Sequence, residues 1–124
     1  MFHPRNVPVE VFAAIVVGAA SALAFVLEGL VRWQADGDPG WIRFPVIVAV
    51  LELLAVAALL TRARAARLGA TVVFVLVGLI HLLATLNDGP VWVRVLSGVL
   101  SAAHVFGLVL LNTRPSLEHF GGSR

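Results

Sequence analysis

Four long apolar runs alternate with short polar breaks along the chain, at about 9–31, 43–61, 69–86 and 91–111. Each is close to the ~20 residues that a helix needs to cross a hydrocarbon layer. The runs are continuous rather than alternating and far longer than the roughly 10 residues of a barrel strand, so the pattern predicts helices. The first run contains Ala20-Ser21-Ala22, which has the form of a signal-peptide cleavage site. Its apolar stretch continues well beyond that point, and we read it as a span.

Each span carries one ionisable residue away from its ends, expected to be buried: Glu28, Glu52, His81 and His104. Counting about 1.5 Å per residue inward from the polar boundaries puts Glu52 and His104 near the midplane, roughly 17 Å from Trp41 and Trp92. The same count places Glu28 and His81 only about 8 Å below the boundary. This predicts two tiers, each with one glutamate and one histidine. Neighbours at i±3 and i±4 share a helix face. Ala14, Gly18, Ser21 and Phe25 lie on the stripe of Glu28, and Ala49 and Ala55 flank Glu52. Gly78, Ala84 and Thr85 flank His81, while Ser97, Ser101 and Gly107 flank His104. Small residues favour close helix–helix approach in membranes, so all four ionisable groups are expected to face the bundle interior.

Composition supports a membrane location. Of 124 residues 60% are hydrophobic and 13% charged, against about 25% charged in soluble domains. The mean hydropathy is +0.97. The net charge of +2 rests on nine arginines with no lysine. They fall between the apolar runs rather than on one patch, which argues for a topology signal and against a nucleic-acid partner. The Ala/Val/Leu/Arg-rich, lysine-free composition points to a GC-rich bacterial genome. Cysteine is absent, which excludes disulfides, thiolate metal sites and iron–sulfur clusters.

Arg5, Arg62, Arg64, Arg67, Arg114 and Arg124 fall on one side of the spans. Arg32, Arg43 and Arg94 fall on the other, with Asp36, Asp38 and Asp88 beside them. This asymmetry predicts a cytoplasmic (inner) membrane protein with both termini cytoplasmic. Trp33, Trp41 and Trp92 all fall at the opposite boundary, where indole rings favour the headgroup level. Short connections predict an up-down four-helix bundle forming a single membrane domain over 1–124. The stretch 112–124 is expected to be a polar cytoplasmic tail with little structure of its own.

"DPGWIRF" (38–44) and "DGPVWVRV" (88–95) share Pro-x-Trp-x-Arg. The second span therefore resembles the fourth, as in two parallel hairpin repeats related by a pseudo-two-fold axis along the membrane normal. Convergence would give the same pattern, because all three residue types are common at membrane boundaries.

A charge at the bilayer centre costs at least about 2.5–3.5 kcal/mol. Glu52 avoids that cost if it is protonated, paired or hydrated, and a dry site favours an uncharged Glu–His hydrogen bond with His104 as partner. Glu28 has a simpler expectation, an i,i+4 pair with Arg32 near the boundary. His81 has the option of a bond to a hydroxyl or a backbone carbonyl. The predicted depth difference of about 9 Å between the histidines works against haem, and the tier spacing works against one shared metal ion. The Glu-x-x-His signature of di-iron bundles, Gly-rich phosphate loops and nucleophile elbows are absent from the sequence. No cofactor is expected.

Two functional readings follow. In one, Glu52 and His104, reached past Glu28 and His81, form an acid–base or proton-handling catalytic site for a small lipophilic ligand. In the other, the chain is a non-catalytic accessory or scaffold subunit of a larger membrane complex, and the polar groups serve packing. Association into a homo-oligomer or larger complex is expected for so small a bundle.

Overall fold

A computed structural model describes residues 7–121. Arg5 and Arg124, two of the residues in the charge asymmetry, lie outside the described residues. The elements are α1 (Val9–Asp36), α2 (Gly40–Ala58), α3 (Arg64–Leu86), α4 (Val91–Leu111) and α5 (Arg114–His119). Among the described residues there is no strand. The four long helices are each long and apolar enough to cross a membrane, and they pack as a multi-pass membrane bundle. The connections, 37–39, 59–63 and 87–90, are short enough to force antiparallel neighbours. Helices α1–α2 and α3–α4 pack most extensively, with α1–α4 and a shorter α2–α3 seam closing the ring.

Helix ends differ from hydropathy ends. α1 continues to Asp36, and α3 begins at Arg64 inside the basic loop, because Arg and Ala sustain a helix whether or not lipid surrounds them. α1 stops at Gly37, whose φ of 80° lets its N–H turn back and donate to the Trp33 carbonyl at 2.6 Å. Large apolar side chains such as Leu51, Leu54, Leu83 and Val99 stay exposed on the outer surface, as a lipid-facing surface requires.

Where helices touch, small residues set the distance. Pro45 lies inside α2 and has no N–H to give the Trp41 carbonyl one turn earlier. That carbonyl faces Gly29 of α1, where a Cβ would stand 2.6 Å from the oxygen. Phe74 of α3 is wedged between Gly18 and Gly107, and a Cβ on Gly107 would meet its ring at 2.5 Å. Phe74 belongs to a packed cluster with Val11, Val56, Leu59, Leu111 and Phe120. This cluster fills the end of the bundle that holds the 59–63 connection and α5, called here the α5 end. The other end, with the 37–39 and 87–90 connections, is the tryptophan end.

The tail departs from expectation. Residues 114–119 form α5, with Pro115 in its first turn. The Ser116 hydroxyl donates to the Leu110 carbonyl at 2.6 Å, folding α5 back under the bundle. Ser116, His119 and Phe120 are buried there. The polar composition of the tail conceals one aromatic residue, Phe120, which the α5 end of the bundle covers.

The two Pro-x-Trp-x-Arg stretches take different local structures. Pro39 has ψ −11° and Pro90 has ψ 140°. The Arg32 guanidinium lies over the Trp41 ring, whereas Trp92 is exposed.

Candidate functional site

The four candidate residues are all buried: Glu28 6%, Glu52 1%, His81 1% and His104 0% exposed. Their helix faces explain this, since each shares its stripe with buried small residues: Gly18 and Ser21 on α1, Ala49 on α2, Gly78 on α3, Ser97 and Gly107 on α4.

Glu52 and His104 meet directly, the His104 Nε2 hydrogen-bonded to the Glu52 Oε2. The other ring nitrogen, Nδ1, lies 2.6 Å from the Leu100 carbonyl. A carbonyl oxygen only accepts, so Nδ1 must carry a hydrogen. The tautomer is thereby fixed, and Nε2 and Oε2 share a single proton. Whether that proton sits on oxygen or on nitrogen, the pair as a whole is neutral. That answers the cost of a carboxyl at this depth. The Phe74 ring stands edge-on to His104, with centroids 5.4 Å apart, and closes the α5 side of the pair.

His81 does not occupy a distant tier. Its ring centroid is 5.4 Å from that of His104, with planes tilted by 41°. The depth count from the sequence sets Asn87 and Trp92 at one level, and the packing corrects this. A Cβ on Gly98 would be 3.6 Å from the Thr85 side chain, and one on Gly78 would be 3.3 Å from the His104 Cβ. α4 therefore extends several residues beyond α3 at the tryptophan end. His81 is three residues from the level of His104, about 4.5 Å, where the count gave about 9 Å.

The expected pair between Glu28 and Arg32 is not made. Among the described residues the side-chain ion pairs are His104–Glu52 and the exposed Arg114–Glu118. Arg32 instead places its guanidinium 3.7 Å from the centroid of the Trp41 ring. The Trp41 indole N–H donates to Asp36 at 2.6 Å, which holds that ring in place. Glu28 is left behind this stack with its Oε1 buried and without a hydrogen-bond partner. Both nitrogens of His81 are also buried and unpartnered. Buried polar atoms in native structures are normally bonded, so three such atoms in one region call for a ligand, water or a moving proton.

A cavity of about 260 Å³ explains where those atoms look. It lies between α1, α2 and α3 at the tryptophan end, and both Glu28 and His81 line it. Phe25, Phe44, Trp41 and Arg32 complete its walls. The Phe25 ring stands edge-on to His81 at 4.7 Å and to Phe44 at 6.2 Å. The Arg32–Trp41 stack also borders a second hollow of about 200 Å³ beside Asp88 and Arg94, so it forms the partition between the two. From the cavity inward, the order is Glu28 and His81, then His104, then Glu52.

No group of three or more His, Cys, Asp or Glu side chains among the described residues stands close enough to hold a metal ion. Sequence reasoning named the four ionisable residues and placed Phe25 on the stripe of Glu28. It missed Phe44 and the cavity-facing role of Arg32 and Trp41, and it did not single out His119. The i+4 spacing of Arg32 from Glu28 was a signal for a different contact. No protein-family model, curated protein sequence or solved structure matches this chain.

Proposed function

We propose that this chain is a small bacterial protein of the cytoplasmic membrane, both termini inside, with an acid–base or proton-handling site for a small lipophilic ligand. The observation that carries this reading is the one-sided line of ionisable groups. It starts at a cavity with unpartnered Glu28 and His81 and ends at the His104–Glu52 pair, where Phe74 stands against the His104 ring.

In this reading the ligand sits in the cavity and His81 handles its proton. A neutral imidazole has one N–H and one lone pair, so it can accept at one nitrogen and release at the other. The His104–Glu52 pair acts as a proton store whose net charge is zero when the ligand is absent. Both His104 nitrogens are engaged. The store therefore exchanges with His81 when the Nδ1–H leaves the Leu100 carbonyl for a neutral His81 nitrogen, directly or over one bridging water. The shared proton then moves fully onto Nε2, leaving Glu52 as the carboxylate. Phe74 and the cluster behind it deny the proton a path to the α5 end.

The test is purification of the full chain from its native membrane in mild detergent, with mass spectrometry of what accompanies it. A lipophilic molecule at one per chain, lost from His81→Phe and retained in Glu52→Gln, is the expected result. Infrared difference spectra on adding that molecule back should show a carboxyl band that disappears in Glu52→Gln. A stoichiometric membrane-protein partner, with no carboxyl change, would instead make this an accessory subunit with packing histidines.

A further inference from the structure

The chemistry of the cavity wall narrows the ligand class, an inference that rests on the acid–base reading above. We propose that the cavity receives the uncharged hydroxyaromatic headgroup of a membrane-soluble molecule. Its hydroxyl sits against Glu28 and His81, and its ring sits in the corner formed by Phe25 and Phe44.

Four observations lead there. The unpartnered atoms of the wall include both kinds of hydrogen-bonding group: a neutral His81 must both donate and accept, and Glu28 adds a carboxyl oxygen. A hydroxyl answers both needs, whereas a carbonyl only accepts. Phe25 and Phe44 meet edge to face at 6.2 Å, an arrangement that a third ring extends by offset or edge-on contact. The wall carries one basic and one acidic group, Arg32 and Glu28, so it has no single-sign field to select a cation or an anion, and an uncharged headgroup suits it best. Size sets the scale, since a cavity of about 150 Å³ takes benzene, and about 260 Å³ has room for a substituted or fused ring.

The aromatic hydroxyl also suits the proposed chemistry. A phenolic O–H ionises near pH 10, so it enters the cavity uncharged and can donate to a neutral His81 nitrogen. Phe44 is 50% exposed, which places the rim of the cavity at the lipid-facing surface. A molecule dissolved in the bilayer thus has a lateral route to Glu28 and His81.

The experiment uses the full chain in phosphatidylcholine nanodiscs, with empty nanodiscs subtracted, and 2-naphthol as probe in titration calorimetry. We expect saturable binding at one site per chain. Naphthalene, 2-naphthoate and a naphthyl trimethylammonium should each bind at least tenfold more weakly. His81→Phe, which keeps a ring and loses both nitrogens, should weaken 2-naphthol at least tenfold. Glu28→Gln, an isostere that keeps hydrogen-bonding capacity, should weaken it less than Glu28→Leu does. Equal binding of naphthalene and 2-naphthol, or an unchanged His81→Phe, overturns the assignment. If no 2-naphthol binds while a co-purified lipophile still evokes the Glu52 carboxyl band, the ligand class is wrong and the acid–base reading stands. If 2-naphthol binds as stated but evokes no carboxyl band from Glu52, the cavity assignment stands and proton handling falls.

Discussion

At the scale of single residues, the Glu52–His104 bond decides how a carboxyl survives inside the bundle. Its shared proton makes burial a matter of hydrogen bonding rather than of charge. Glu52→Gln keeps a donor for the His104 Nε2, and its stability loss in reversible unfolding should stay below about 1 kcal/mol. Glu52→Leu leaves that nitrogen buried and unpaired and should cost about 1–3 kcal/mol. Equal losses in the two variants would mean that the bond does not support the fold. The sequence made this partnership legible, because Glu52 and His104 stand at nearly the same distance from their tryptophans. It did not reveal the Nδ1 contact to Leu100 that fixes the tautomer, since that depends on a rotamer.

Between elements, the contacts are governed by what the glycines leave room for. Gly107→Ala would drive a methyl into the fully buried Phe74 ring and should cost about 1–3 kcal/mol. The double variant with Phe74→Leu should recover part of that loss, and simple additivity would show that the clash relaxes elsewhere. α5 gives the complementary prediction. Phe120→Ala removes a ring from the packed cluster, and thermal unfolding should report a loss of about 3–5 kcal/mol. A loss as small as that of the more exposed Leu117→Ala would mean that α5 does not hold the bundle. The tail reads as unstructured in the sequence because one aromatic residue among polar ones has no periodicity to register.

For the molecule as a whole, the two ends of the bundle are unlike: one packed by the Phe74–Phe120 cluster, the other holding the cavity. The orientation proposed above puts the cavity end outside. The absence of cysteine makes single substitutions clean reporters. A membrane-impermeant maleimide should label Gly89→Cys in intact cells, and Ala63→Cys only after lysis. The reverse pattern would invert the topology and place the cavity on the cytoplasmic side.

The sequence by itself determined the four spans, the inward face of each ionisable residue and the small residues beside them. These are local properties, set by the period of one helix and the thickness of a bilayer. Only the tertiary structure decided how far each helix slides along its neighbour. That offset brings His81 to His104, stacks Arg32 on Trp41 instead of beside Glu28, and leaves Glu28 and His81 facing a cavity. Axial offset and side-chain direction are relations between elements, and the hydropathy of a single helix is the same for many of them.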